Sequence, residues 1–146
     1  MKAVFLDYES LDKNDLDYSQ LKTAFDELIL YLSTTPEQVL ERVQDVDVII
    51  SNKVMLDANT IEQCRQLKLI LISATGTNNV DLVQAKSKGV IVCNCQGYGT
   101  SAVAQHTIAL MLALATSLLK YDQAVKQGQW NNSPIFCLLD FPIIEV

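Results

Sequence analysis

Short apolar runs alternate with longer mixed stretches through the first part of the chain. The runs are bounded by polar or charged residues and lack the strict apolar-polar alternation of a strand with one solvated face. Runs of this length predict strands that are buried on both faces. The five runs occupy residues 3–6, 28–32, 46–50, 69–72 and 90–93.

Amphipathic stretches between these runs predict helices, because apolar residues recur in them at three- and four-residue spacings. They cover residues 18–25, 36–43, 57–66 and 80–88. Thr35 before Pro36 is a typical helix start, an N-cap followed by proline at the first helical position. Gly89 follows lysines in the last turn of the fourth stretch and marks its C-terminus. Alternating buried strands and helices predict a parallel, doubly wound α/β sheet of the flavodoxin-like kind over residues 1–99.

The chain changes character after Gly97-Tyr98-Gly99. Residues 107–119 are almost continuously apolar within a helical stretch at 101–127. A helix that is apolar on nearly all sides must be buried on nearly all sides. Because a five-stranded domain covers only one flank, we expect a further domain or another subunit to cover the other. The apolar stretch contains threonine and serine and is shorter than the ~18 to 20 residues of a membrane span, so we expect no membrane span.

The final residues, 132–146, predict an extended arm. They are mostly apolar, contain two prolines and end without a closing element. We therefore expect a truncated chain with two parts. The first is a domain at residues 1–99, and the second is a crossing helix with a dimerisation arm at residues 100–146.

Composition limits the classes of partner. The chain has 146 residues, of which 49% are hydrophobic and 19% charged, as expected for a globular domain with one core. A net charge of -6 argues against general binding to nucleic acid or anionic membranes, which attract Lys and Arg clusters. Four cysteines without a CxxC pair and one histidine offer no recognisable metal site. Free thiols and the lack of a signal peptide predict a reducing, cytoplasmic location.

A glycine turn, SATGTNNVD at residues 73–81, follows the fourth predicted strand. Ligands of open α/β sheets bind beyond the carboxyl ends of strands. Gly76 permits a positive φ and close approach of a ligand to the backbone. Asn78 or Asn79 is expected to cap the next helix, whose dipole, with free N–H groups at residues 75–77, suits a small carboxylate. The alternative is a capped turn that binds nothing.

Residues 74–113, ATGTNNVDLVQAKSKGVIVCNCQGYGTSAVAQHTIALMLAL, contain a glycine turn, a helix, a strand and a long helix in that order. This segment resembles the D-isomer-specific 2-hydroxyacid dehydrogenase family. SNKVMLD, at residues 51–57, is similar to its glycerate dehydrogenase, or hydroxypyruvate reductase, branch. The resemblance implies the N-terminal substrate-binding part of an enzyme that interconverts a small D-2-hydroxy acid, such as glycerate, and its 2-keto acid with NAD or NADP.

The resemblance also implies roles for single residues. In the family, the backbone of the turn equivalent to Thr75 and Gly76 holds the substrate carboxylate, and a basic residue near Lys53 lies beside it. A solvated lysine on a loop is the alternative for Lys53. The segment that approaches the nicotinamide in the family carries three positions that would line its pocket, although Tyr98 also fits ordinary packing. These positions are Tyr98, Thr100 and Val103.

Two polar residues near this edge are interpreted as structural. Asn52, beside Lys53, either orients the loop or touches substrate, and the loop role is favoured. Asp7 closes the first strand on the same edge, where a lone acid is typically a turn former.

We expect no catalytic residue in this chain. His106, the single histidine, falls early in the long helix, where a packed or hydrogen-bonded side chain fits better than a proton donor. In the family, the acid/base histidine, its carboxylate partner and a substrate-binding arginine follow the dinucleotide motif, and neither Arg42 nor Arg65 matches that arginine. No GxGxxG turn occurs in the chain. We therefore expect the cofactor domain to be missing and the chain to be inactive alone.

The family also implies a homodimer through residues 101–146. A receiver-type signalling domain fits less well, because it needs an aspartate after strand three and a lysine after strand five, where this chain has Ser51-Asn52 and Asn94. A flavin-binding domain needs a phosphate loop after strand one, and DYESLDKND would repel phosphate. A non-catalytic module that binds a small carboxylate and dimerises through the long helix stays open as the alternative.

Overall fold

The computed structural model describes residues 1–13 and 15–135. The chain divides into two compact units, Met1–Gly97 and Tyr98–Val146. The first unit carries the strands, and the described part of the second is helical.

The first unit contains a five-stranded parallel sheet with strand order β2-β1-β3-β4-β5. The predicted fold class is confirmed, because all five predicted strands form and all pair in parallel. In the register of the sheet, Val4 of β1 pairs with Ile29 of β2 on one side and with Ile49 of β3 on the other. Ile49 in turn pairs with Ile70 of β4. The strands are β1 (Lys2–Phe5), β2 (Glu27–Leu30), β3 (Val48–Ser51), β4 (Leu69–Ile72) and β5 (Ile91–Asn94).

Four helices connect the strands, at or within the predicted stretches. They are α1 (Ser19–Thr23), α2 (Pro36–Val43), α3 (Ala58–Gln63) and α4 (Leu82–Ser87). The predicted start of α2 is confirmed, because Thr35 and Gln38 form a capping box ahead of Pro36. Gly89, with φ of 72°, follows α4 in the left-handed region that favours glycine.

Apolar side chains cover both faces of the central strands. On one face, Ile49 and Ile70 belong to a buried cluster with Val39 of α2, Ile61 of α3 and Ala85 of α4. A second cluster is built from strand residues of opposite parity and from aromatic and apolar residues of α1 and its flanks. Its members include Ala3, Phe5, Val48, Ile50, Tyr8, Tyr18, Leu21 and Phe25. Burial on both faces explains why β1 and β3 are continuous apolar runs.

The second unit corrects the prediction of one long buried helix. The stretch divides into α5 (Thr100–Ala115) and α6 (Leu118–Lys126), bent by 61°, followed by α7 (Gln129–Asn132). The break lies at Ser117, whose φ of 52° is left-handed and cannot continue a helix. Next to the break, Thr116 Oγ1 donates a hydrogen bond to Leu112 O at 2.8 Å, a side-chain contact that often bends helices.

Burial of α5 is also not found. None of its residues is buried, and Leu114 is 72% exposed. The apolar character of α5 extends around the whole helix, so it has no polar face to turn toward solvent. Over the described ranges no single helix meets the length and hydropathy needed to cross a membrane, whereas α5 and α6 meet them only as a bent pair. Most of the predicted arm, residues 136–146, lies outside the described residues.

One carboxylate at the amino edge of the sheet, that of Asp47, contacts three strands or the residues next to them. Asp47, just before β3, accepts a hydrogen bond from the Lys2 backbone N–H at 2.8 Å and from Lys68 Nζ at 2.6 Å. It therefore ties the starts of β1, β3 and β4 together. The Lys68 hydrogen bond, with that of the Lys2 backbone, lowers the pKa of the Asp47 carboxyl.

We expect Asp47→Asn to destabilise the fold at neutral pH and to have a smaller effect in acid. A carboxyl whose pKa is lowered by folding contributes stability above its unfolded value, about 3.9, and loses it as the pH falls through the folded pKa. Urea denaturation at neutral pH and at about pH 3 measures both differences in the free energy of unfolding. A difference that does not shrink in acid would contradict this assignment.

Candidate functional site

The carboxyl edge of the sheet brings together the loops that follow β1, β3 and β4. These strands are direct neighbours, and the edge continues past the sheet because Ser73 N donates to Ser51 O at 2.9 Å. β3 ends at the buried Ser51, and the loop after it begins with the buried Asn52 and the exposed Lys53. The predicted Lys53 and the predicted Thr75-Gly76 turn therefore lie on adjacent loops of one edge.

A carboxylate from β1 holds the backbone of the Lys53 loop. Asp7 is 6% exposed and accepts the Asn52 N–H at 2.9 Å and 3.2 Å, one distance to each oxygen. Its Oδ2 also accepts the Lys53 N–H at 2.6 Å. The Asn52 side chain donates to Ser10 Oγ at 2.9 Å, and Ser10 Oγ donates to Asp7 O at 2.6 Å. These contacts fit the loop-orienting role favoured for Asn52, whereas the Asp7 side chain bonds to the loop after β3 rather than within its own turn.

The Lys53 side chain contrasts with its backbone. No hydrogen bond or ion pair to its ammonium occurs within the described ranges, whereas Lys2, Lys68 and Lys126 each pair with a carboxylate. Lys53 also lines an open cleft of about 650 Å³ at the ends of β1, β2 and β3, together with Asp7, Glu9 and Asp57, and this cleft is not lined by Thr75 or Gly76. An exposed cation on a fixed backbone is therefore available to an anion.

The turn after β4 is anchored through its carbonyl groups. Ala74 O accepts the Cys95 N–H at 3.0 Å, and Thr75 O accepts from Asn94 Nδ2 at 2.6 Å. The backbone N–H groups of residues 75–77 donate to no atom in the part of the chain that the structure describes. Thr75 and Gly76 are exposed, so these donors are available to a ligand.

Three features that the sequence allows at this turn are not used in the structure. Gly76 does not adopt a positive φ. Asp81 caps α4, accepting the Gln84 N–H at 2.8 Å, while the buried Asn79 donates to Val54 O at 3.1 Å. Val80 forms an isolated β-bridge with Leu56. Because this bridge lies between Gly76 and α4, the helix begins only at Leu82. A helix dipole acts mainly within its first turn, so it adds little at Gly76.

The predicted nicotinamide-facing positions belong to the second unit. Tyr98 is 73% and Val103 65% exposed, and Thr100, also exposed, is the first residue of α5. His106 lies on α5 as expected, but it is exposed rather than packed. The first unit thus holds Lys53, Thr75 and Gly76 at one edge, and the second holds the other three positions.

Arg42 and the cysteines have structural surroundings. Arg42 Nη1 donates to Ser33 O at 2.7 Å, and its guanidinium lies 3.8 Å from the centre of the Tyr31 ring. The cysteines within the described ranges are free thiols, as predicted, and burial raises the pKa of Cys64 to about 11. No group of three or more His, Cys, Asp or Glu side chains suited to a metal occurs among the residues described.

Comparison with known proteins gives a family match over most of the chain. The family model described as D-isomer specific 2-hydroxyacid dehydrogenase, catalytic domain, matches residues 4–133. The glycerate dehydrogenase of Methylorubrum extorquens is 40% identical over 146 residues, which are 99% of this chain and 45% of that protein. The hydroxypyruvate reductase of Blautia hydrogenotrophica is 37% identical over 100% of this chain and 46% of its own length.

A solved structure shares the architecture. The NAD-dependent formate dehydrogenase from Staphylococcus aureus, in complex with NAD, superimposes with a TM-score of 0.69 at 25% identity, over 88% of this chain and 41% of that one. The chain thus spans less than half the length of the relatives it matches.

Proposed function

The chain belongs to the D-isomer specific 2-hydroxyacid dehydrogenase family, and on this premise we propose that it is the substrate-binding portion of an oxidoreductase. That enzyme interconverts a small D-2-hydroxy acid, such as glycerate, and its 2-keto acid. Residues 1–99 bind the substrate, and residues 100–146 supply a crossing helix and a dimerisation arm.

One observation carries this proposal. An ammonium at Lys53 and backbone N–H groups at Thr75 and Gly76, none of which has a hydrogen-bond partner within residues 1–13 and 15–135, lie on adjacent loops of the same sheet edge. A carboxylate accepts several hydrogen bonds, and a charged donor strengthens one of them. We therefore assign the substrate carboxylate to Lys53 and the Thr75-Gly76 backbone. The names of the two relatives, glycerate dehydrogenase and hydroxypyruvate reductase, support a small acid.

NAD or NADP is the proposed hydride carrier, since the solved formate dehydrogenase is NAD-dependent. Tyr98, Thr100 and Val103 are the proposed positions of this chain beside the nicotinamide. The described residues do not provide a dinucleotide-binding unit, because the glycine-rich GYGTSA at residues 97–102 leads into the helices α5, α6 and α7 rather than into a helix and a second strand. His106 has no proposed role in proton transfer. The proposed location is the cytoplasm.

A non-catalytic module that binds a small carboxylate is the second candidate. The contacts of the described residues favour it, because Lys53 and the N–H groups of residues 75–77 have no partner among those residues and need no nucleotide to hold an anion. Binding of D-glycerate is common to both candidates, and hydride transfer belongs only to the first.

We expect Lys53→Ala to weaken D-glycerate binding to this chain by roughly 1 to 3 kcal/mol, because it removes a charged hydrogen-bond donor. Gly76→Val should block the approach of the carboxylate. Gly76→Ala should bind more nearly as the wild type, because its Cβ would meet only the flexible Asn78 Oδ1, at 3.1 Å. Titration followed by NMR measures each affinity.

Lys68→Ala is the matched lysine control for this titration, because Lys68 pairs with Asp47 at the opposite edge. It should bind D-glycerate as the wild type does. Equal affinities for wild type, Lys53→Ala and Gly76→Val would show that this edge does not hold the carboxylate.

The purified 146-residue chain should not oxidise NADH with hydroxypyruvate, because its glycine-rich segment at residues 97–102 is not part of a strand-helix-strand unit within the described residues. A spectrophotometric assay at millimolar hydroxypyruvate provides the measurement. Turnover above a protein-free blank would refute this expectation.

Self-association through the second unit is the proposed state of the chain in solution. Nine large apolar side chains of α5 and α6 are each more than half exposed, which is unusual for a monomer. An isologous contact through residues 101–146 would cover them. They are Val103, Ile108, Leu110, Met111, Leu112, Leu114, Leu118, Leu119 and Val125.

We expect sedimentation at micromolar concentration to give a dimer or larger species for the wild type. The double variant Leu112→Gln/Leu119→Gln should shift the population toward monomer. Leu32→Gln, which changes a similarly exposed leucine (57%) in the first unit, should leave the mass unchanged. A well-behaved wild-type monomer would contradict the proposed interface.

A further inference from the structure

Asp7 makes contacts that a local turn does not need. In an Asx turn, the carboxylate accepts an N–H close by in sequence, as Asp57 does from Thr60 at 2.7 Å. Asp7 instead accepts N–H groups that are 45 and 46 positions away, at Asn52 and Lys53. Its carboxylate therefore connects the end of β1 to the loop after β3.

The paired contact fixes an orientation. Consecutive N–H groups at Asn52 and Lys53 both donate to one buried carboxylate, so the peptide plane between these residues cannot rotate without losing a charge-assisted bond. Because this plane sets the direction in which the Lys53 side chain leaves the backbone, it sets where the ammonium can reach. The Ser10 hydroxyl adds a second tether through the Asn52 side chain.

The carboxylate is also compatible with a neighbouring anion. Both Asp7 oxygens accept backbone N–H groups, and the side chain is nearly buried, so its charge is met by amide dipoles. Lys53 keeps its own charge unpaired among the described residues. The loop after β3 thus exposes the Lys53 ammonium to solvent, while the Asp7 carboxylate accepts hydrogen bonds from the backbone of the same loop.

We propose that Asp7 is a positioning residue for Lys53, holding the loop so that the ammonium is placed for the substrate carboxylate, an inference that rests on the proposed function. A flexible lysine loses rotamer freedom when it binds, and a loop that also moved would add a further entropic cost. Fixing the backbone beforehand leaves only the side chain to be ordered. Asp7 itself does not touch the substrate.

The test uses the 146-residue chain with D-glycerate as the probe. Asp7→Ala removes both contacts, and Asp7→Asn, which keeps the size and one acceptor, covers the case in which the alanine variant does not fold. Asp47→Ala is the matched control, because that carboxylate likewise accepts a backbone N–H between β1 and β3, but at the amino edge. Urea denaturation measures the stability of all three variants, and NMR titration measures their affinities.

We expect Asp7→Ala to bind D-glycerate about tenfold more weakly, with Asp7→Asn intermediate, while Asp47→Ala binds as the wild type does. In the Lys53→Ala background, Asp7→Ala should change the affinity by less than about twofold, since a residue that acts through Lys53 has no effect once the ammonium is gone. The amide protons of Asn52 and Lys53 should exchange faster with solvent in both Asp7 variants.

Different results overturn different claims. Wild-type affinity in a folded Asp7 variant, or fully additive effects of Asp7→Ala and Lys53→Ala, would overturn the positioning role. Unchanged exchange of the Lys53 amide would overturn it even without any binding measurement. If the wild-type chain does not bind D-glycerate while its Lys53 amide is protected by Asp7, the proposed function fails and the clamp is purely structural.

Discussion

Parallel pairing of the strands is the constraint on which the candidate site depends. In a parallel sheet every strand ends at the same edge, so residues far apart in sequence are collected there without any local signal. Asp7, Lys53 and the Thr75-Gly76 turn follow β1, β3 and β4, which are direct neighbours. The order β2-β1-β3-β4-β5 thus converts three separate strand ends into one surface. A different strand order would leave each of these residues alone on its loop.

The features that depend on hydrophobic pattern were predictable from the sequence. Strands buried on both faces are continuous apolar runs, and α2 starts at a Thr-Pro pair whose chemistry is local. The features that depend on tertiary pairing were not. Nothing near Asp7 in sequence indicates that its carboxylate meets Lys53, since that contact exists only once β1 lies beside β3. The bridge between Leu56 and Val80 is likewise a tertiary contact. It places the start of α4 after Val80, so that Asp81 is the N-cap.

The helical unit shows a second limit of pattern-based reasoning. The nearly continuous apolar stretch within residues 101–127 predicts a helix but does not indicate where the helix breaks. The break occurs at one left-handed residue, Ser117. Burial depends on what surrounds a helix, and α5 is exposed within the described residues. The proposal that α5 forms an interface therefore depends on its exposed apolar side chains and not on its sequence pattern. In the proposed function, the carboxyl edge of the sheet binds the acid. The helical unit forms the contact between subunits.

The carboxyl edge of this sheet is the proposed site of a small carboxylate, and a crystal structure of the chain grown with D-glycerate would locate that ligand. We expect its carboxylate within about 2.7 to 3.2 Å of Lys53 Nζ and of a backbone nitrogen at Thr75 or Gly76. The Asp7 carboxylate should keep its contacts with Asn52 and Lys53 in that complex. Glycerate bound elsewhere on the chain, or a carboxyl edge left empty at saturating glycerate, would contradict the account.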